Sequence, residues 1–290
     1  MSQNHFTLRF PLVSPADAAQ VAERLLPLMP ALSQAADELG TIHYARFTVL
    51  SDKTLLFLVD HDGGFDGIMS GLASLAGPVF DAIFEHVSDP PGGPVADRPR
   101  AFVDWTAKHL LRPLNVYSAY PSASVKDIKS LAAAAHVRGG KALLPFLVIL
   151  PIRSDVSFLV VRLLLRLAAR KITRDLDTVG TPHFAQFVPL ENNQIGFFTV
   201  YDGDFDRYIA DFTKNIGQVF DLIFKFTKDP PPSPCRKHLQ AFIDFAAVAS
   251  RTPIGFYQAY SGLTVQDIHA LVADAARRNR ARPKMAIVTP

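Results

Sequence analysis

The chain has 290 residues, 49% of them hydrophobic and 20% charged, with a formal net charge of +3. These figures exclude a disordered or fibrous chain and leave room for two domains, each with a core of its own. One cysteine, Cys235, excludes an internal disulfide and fits a reducing compartment.

The positive charge is local. Arg277, Arg278, Arg280, Arg282 and Lys284 supply five cations near the C-terminus, and the rest of the chain is slightly acidic. Such a tail reads as a solvated helix end with its cations well placed against the helix dipole. No aromatic-interleaved basic surface accompanies it, so nucleic acid is not an expected partner. The first residues, MSQNHFTLRFPLV, lack the basic and apolar regions of a secretory signal. The most apolar stretch, residues 142–169, is interrupted by Pro145, Pro151, Arg153, Asp155, Arg162 and Arg166. It predicts a buried strand followed by an amphipathic helix rather than a membrane span. Together these features predict a cytoplasmic protein.

In chain order, Phe6 to Leu12 alternates and predicts a first strand. Ser14 and Pro15 then offer an N-cap and a proline at the first helical position, with Asp17 in the first turn. The helix that follows is disturbed at Pro27 and Pro30 and stops at Gly40. His43–Leu50 and Thr54–Asp60 predict a hairpin across Ser51-Asp52-Lys53. Asp62-Gly63 turns the chain into a helix interrupted at Gly77-Pro78. A proline-rich loop from Asp89, a short helix over about Pro99–Leu110 and a fourth strand over Leu114–Tyr120 come next. Ser124 and Asp127 have capping-box spacing before a last helix, as do Thr264 and Asp267.

The same order returns 140 residues later. GTIHYARF from Gly40 matches GTPHFAQF from Gly180, DGGFD from Asp62 matches DGDFD from Asp202, and GPVFDAIF from Gly77 matches GQVFDLIF from Gly217. NVYSAY from Asn115 matches GFYQAY from Gly255 at the same offset. About two in five positions between Gly40 and Pro91 are identical in one ungapped register. The chain therefore reads as an α+β unit duplicated in tandem, residues 1–140 and 141–290. Each unit is a ferredoxin-like βαββαβ motif with extra helices. With helices on one face of each antiparallel sheet, Phe47, Phe57 and Val116 are expected on the other. Packing the two sheets together would bury them.

This order and duplication resemble the dimeric α/β-barrel superfamily in a single-chain form. The superfamily includes haem peroxidases of the dye-decolorizing type, chlorite dismutases, small monooxygenases and binding proteins without chemistry. The resemblance implies a small-molecule enzyme acting on a hydrophobic substrate between the sheets, an oxidoreductase with haem as its cofactor. Asp62-Gly63 lacks the preceding glycine of the dye-decolorizing GxxDG motif, which counts against that subfamily. The alternatives are a non-catalytic ligand-binding or scaffold protein and a membrane-surface protein using the helix over residues 156–171 together with the basic tail. The reading leaves room for a homo-oligomer.

Two kinds of residue are candidates for a site. His43 and His183 are paired across the repeat at the start of the second strand, where a haem ligand or general base could stand. A histidine kept in both halves also suits a shared scaffold. One asymmetric site needs unlike walls, which singles out positions where the halves diverge. These are Arg46 against Gln186, His61 against Tyr201, His109 against Ala249, His86 against Phe226 and His269 against Lys129. Arg46, His61 and His183 are the catalytic candidates and His43, His109 and His269 the cofactor-binding ones. Tyr117, Tyr257 and Tyr201 are candidates for substrate contact, with core tyrosines as the plainer alternative. Asp62, Asp66, Asp202 and Asp206 read as turn and cap acids, and no metal site is expected. The chain has no Walker loop, G-x-G-x-x-G, H-E-x-x-H or G-x-S-x-G, so nucleotide-dependent and triad or zinc hydrolytic chemistry lack support.

Overall fold

The computed structural model describes residues 3–50, 53–137 and 139–281. The first half runs β1 (Gln3–Pro11), α1 (Pro15–Leu25), α2 (Met29–Leu39), β2 (Ile42–Val49), β3 (Thr54–Asp62), α3 (Phe65–Phe84), α4 (Pro99–Lys108), β4 (Leu110–Leu111), β5 (Asn115–Ser118) and α5 (Val125–Ala135). The second runs β6 (Leu143–Pro151), α6 (Asp155–Leu167), α7 (Ala169–Val179), β7 (Pro182–Leu190), β8 (Gln194–Asp202), α8 (Phe205–Phe224), α9 (Leu239–Ala249), β9 (Ile254–Gln258) and α10 (Val265–Ala281). Ser51 and Asp52 of the expected hairpin turn, and Arg282 and Lys284 of the basic tail, lie outside the described residues.

Local signals act where the sequence places them. Ser14 with Asp17 and Ser124 with Asp127 form capping boxes at α1 and α5, and Thr264 with Asp267 does the same at α10. Gly40 and Gly180 end α2 and α7 at φ values of 61° and 71°, a backbone region that glycine enters without steric penalty. Asn192 and Asn193 take φ values of 53° and 56° between β7 and β8, which asparagine tolerates. A 3-10 turn containing Pro27 separates α1 from α2, and α3 is kinked at Ala76 two residues before Pro78. α6 and α7 also part at Ala168, without a proline, at the position matching Leu28. The break therefore belongs to the fold and not to the prolines. α3 alone, among the described residues, is long and apolar enough to cross a membrane, yet half of that stretch is buried.

Two antiparallel sheets result, ordered β4-β1-β3-β2-β9 and β5-β7-β8-β6. β1 pairs with β3 from Gln3↔Asp62 to Pro11↔Thr54. β6 pairs with β8 from Leu143↔Asp202 to Pro151↔Gln194, the same register 140 residues on. The fourth strands correct the simple picture of self-contained sheets. β5 of the first half pairs with β7 of the second, and β9 of the second pairs with β2 of the first. Each chain segment first lies beside its own sheet, where Leu110 and Leu111 pair with β1 and Ser250 bridges Val148. It then passes Pro113 or Pro253, which cannot donate to a ladder, and resumes on the opposite sheet.

The assignment of sheet faces is also corrected. Phe47 and Phe57 stack at 4.4 Å on the helix-covered face, where Phe57 meets Phe80 of α3 at 5.8 Å. Val116 is 49% exposed on an edge strand. These strands are apolar on both faces, so composition alone could not tell the faces apart. The residues between the sheets are the alternate ones. Leu50, Leu56 and Leu58 pack with Leu147, Ile149, Val188, Leu190 and Phe198 in one apolar cluster. Gly196 matches Leu56, and its missing side chain makes room for the Phe198 ring, which would collide with a Cβ there. Side chains fill this zone.

Candidate functional site

Beyond the apolar cluster, buried polar side chains lie between the sheets. Two arrangements meet there, one symmetric and one confined to the first half.

The symmetric one is a chain of hydrogen bonds. His43 Nε2 lies 3.0 Å from Asp62 Oδ1, and His183 Nε2 lies 2.7 Å from Asp202 Oδ1. The other carboxylate oxygens accept from the Val125 and Val265 backbone N–H groups at 2.8 Å, at the starts of α5 and α10. His43 Nδ1 meets Tyr260 Oη at 2.7 Å, His183 Nδ1 meets Tyr120 Oη at 2.8 Å, and the two tyrosine oxygens are 2.9 Å apart. Burial pushes the Tyr120 and Tyr260 hydroxyls well above the usual phenol range, so both stay protonated.

The network is not fully symmetric. With each imidazole donating from Nε2 to its carboxylate, each Nδ1 accepts. If Tyr120 and Tyr260 both donated to their histidines, their oxygens would face each other with no proton between them. Tyr44 adds a third hydroxyl at this junction, 3.1 Å from His183 Nδ1 and 3.4 Å from Tyr120 Oη. Phe184 holds the matching position in the second half, so the network contains one such extra donor.

The asymmetric arrangement is His5, Arg46 and Asp60, on β1, β2 and β3. His5 Nδ1 hydrogen-bonds Asp60 Oδ1, and Arg46 Nη1 lies 3.5 Å from Asp60 Oδ2, an ion pair too long for a hydrogen bond. Burial opposes the Asp60 charge, but His5 and Arg46 outweigh it and hold the carboxyl below its ordinary range. The Arg46 side chain is 1% exposed, and its Nε and Nη1, together with Asp60 Oδ2, Thr7 Oγ1 and Gln186 Oε1, lack hydrogen-bond partners. The second half places Pro145, Gln186 and Val200 at the matching positions and folds the same way without the charges. Buried charge that the scaffold does not require makes this cluster the candidate functional site.

The other sequence candidates are dispersed. His61 lies on the helix-covered face against Phe6 at 5.2 Å, where burial pushes its pKa down to about 4. His109 stacks on Trp105 at 3.8 Å and bonds the Trp105 carbonyl, while His269 bonds the Ala119 carbonyl at 2.7 Å near the surface. His86 bonds Asp17 at 2.9 Å. Tyr257 donates to Asp37 of α2, Tyr117 lies beside Asp177 of α7, and Tyr201 stacks on Tyr208 of α8 at 4.0 Å. All three tyrosines belong to helix–sheet packing. Haem does not fit the histidines assigned to it. Both ring nitrogens of His43 and His183 are already engaged, and His109 and His269 do not converge with them. Among the described residues no group of three or more His, Cys, Asp or Glu is placed to hold a metal ion. Cys235 is buried, with its thiol pKa pushed upward by that burial. Sequence reading missed His5 and Asp60, although the divergence test that found Arg46 applies to them: Pro145 and Val200 stand opposite.

No family model matches the chain, and no curated protein matches it. Solved structures similar to it include two crystal structures each named a "putative monooxygenase". One is from Lactobacillus acidophilus NCFM, with 8% identity, 90% of this chain and 98% of that chain covered, and a TM-score of 0.39. The other is from Fusobacterium nucleatum subsp. nucleatum ATCC 25586, with 9% identity, 91% and 97% covered, and a TM-score of 0.40. An anthrone oxidase-like protein matches with 8% identity, 90% and 95% covered, and a TM-score of 0.30. Similarity this low transfers no residue role or reaction to this chain.

Two outcomes test this description. Asp60→Val alone strands the Arg46 cation and should lower unfolding free energy in urea by about 3–5 kcal/mol. The double variant R46Q/D60V copies Gln186 and Val200 and should match or exceed the wild type. For His61, the folded pKa of about 4 lies below the ordinary 6.5, so the unfolded chain binds the extra proton between those values. Stability should therefore fall as pH drops from 6.5 towards 4. His61→Tyr, copying Tyr201, should remove up to about 3 kcal/mol of that loss, read from urea titrations at both ends of the interval.

Proposed function

We propose that the chain is two ferredoxin-like repeats closed on each other as a single-chain dimeric α/β barrel. It is a small-molecule enzyme of oxidoreductase type with its site in the polar zone of the first half. One observation carries this reading: a buried Arg46–Asp60–His5 cluster with unfilled donors and acceptors, replaced by Gln186, Val200 and Pro145 where the fold repeats. The substrate is a hydrophobic molecule with an anionic or carbonyl oxygen. Arg46 Nε and Nη1 bind that oxygen and stabilise charge developing on it, in a water-poor setting where such a contact is strong. Asp60 and His5 hold a proton beside it. Tyr44 is the cross-strand neighbour of Asp60 and connects the cluster to the tyrosine–histidine chain. That chain runs to Asp202, which borders an open cleft of about 410 Å³ between Lys141, Gly180, Arg207 and Thr264. No step is assigned to haem.

A second reading rests on the filled apolar zone, with Phe198 folded over Gly196. It is a protein that holds a partner without chemistry. Calorimetric titration with benzoate, the simplest aromatic oxyanion, separates the two. The enzyme reading expects wild type to bind benzoate and Arg46→Gln to weaken it at least about tenfold, the scale of one charge-assisted hydrogen bond. Absence of binding, or equal binding by both proteins, contradicts the enzyme reading and favours the second.

A further inference from the structure

The two halves differ most on their outer surface at α6. Its core-facing side buries Val161 and Leu165. Its opposite side presents Val156, Leu159, Val160, Leu163 and Leu167, which are 72%, 60%, 36%, 58% and 74% exposed. Their spacing of three and four residues makes one continuous stripe. The matching positions on α1 and its following turn hold Ala16, Ala19, Gln20, Glu23 and Pro27. The fold therefore does not demand the stripe.

Charge changes with it. Residues 155–179 carry Arg162, Arg166, Arg170, Lys171 and Arg174 against three acids, and residues 15–39 carry Arg24 alone against four. Arg166 and Arg170 are exposed beside the stripe, and Arg162 lies over the Phe158 ring at 5.5 Å. Lys171 is the cation paired with Asp175. The apolar surface continues into a groove of about 230 Å³ between α6, α7 and α8, lined by Leu164, Ala168, Val219, Leu222 and Ile223, with Lys171 at its side.

We propose that α6 docks on an anionic lipid surface, its apolar stripe entering the headgroup–acyl boundary and the arginines meeting lipid phosphates. Exposed leucine and valine beside arginine, on a helix whose other side is anchored in the protein, is the composition of an interfacial helix. A second copy fits less well. A symmetric contact through α6 would bring Arg166 and Arg170 of both copies into one interface where Asp155 is the single acid that α6 supplies. The inference is independent of the proposed enzyme site.

The test is co-sedimentation at low salt with vesicles of phosphatidylcholine alone and of phosphatidylcholine with phosphatidylglycerol, together with the solution mass of the protein. Wild type should sediment with the anionic vesicles and not with phosphatidylcholine alone, and added salt should release it. R166Q/R170Q should weaken partitioning about thirtyfold, at about 1 kcal/mol per cation. The triple variant L159A/V160Q/L163E copies the surface of the first half, so it should fold and remain in the supernatant. Wild type staying in the supernatant overturns the proposal. So does wild type forming a dimer that the triple variant dissociates, since a second copy then covers the stripe. Equal sedimentation by wild type and the triple variant overturns it as well.

Discussion

The buried run Asp62–His43–Tyr260–Tyr120–His183–Asp202 is the constraint on which the rest of the molecule depends. Each histidine bonds the aspartate of its own half and a tyrosine of the other, so neither half alone satisfies its histidine. The carboxylates at its ends hold the first turns of α5 and α10. Backbone bonds from Ala119 N–H to the His183 carbonyl and from Ala259 N–H to the His43 carbonyl seat the exchanged strands beside it. A buried network is stabilising when every member has a partner and costly when one does not. Tyr44 adds a third hydroxyl to this network, beside His183 and Tyr120, where the second half has Phe184.

The same logic separates scaffold from site. Residues kept in both halves, His43 with His183 and Tyr120 with Tyr260, close the fold. Residues present once, His5, Arg46 and Asp60, add buried charge that the other half does without. On the outside, α6 shows the same one-sided elaboration in apolar and cationic form. The two halves share element order and register, so each serves as a control for the other, one lacking what the other carries.

Much of the fold was legible because its signals are local. Capping pairs such as Ser124 and Asp127, the left-handed Gly40 and Gly180, and the kink before Pro78 fall where the residues indicate. The exchange of fourth strands was not legible, because a strand such as Asn115–Ser118 carries no mark of which sheet it joins. Nor were the faces, since Phe47 and Phe57 lie in runs apolar on both sides. Within the site, Arg46 and the paired histidines were found by comparing halves. From sequence alone Asp62 and Asp202 read as turn acids, because their bonds to His43, His183 and the helix starts are formed only by tertiary folding. His109 and His269 diverge between halves for reasons of local packing, against Trp105 and the Ala119 carbonyl.

The central claim is that the exchanged strands and the shared network make the halves one folding unit. Urea unfolding combined with measurement of mass in solution, on residues 1–140 and 141–290 produced separately and together, tests it most directly. The account predicts that the two segments purify as a one-to-one complex with a single cooperative transition, and that residues 1–140 form no folded monomer. A monomeric 1–140 segment with its own cooperative transition would contradict it.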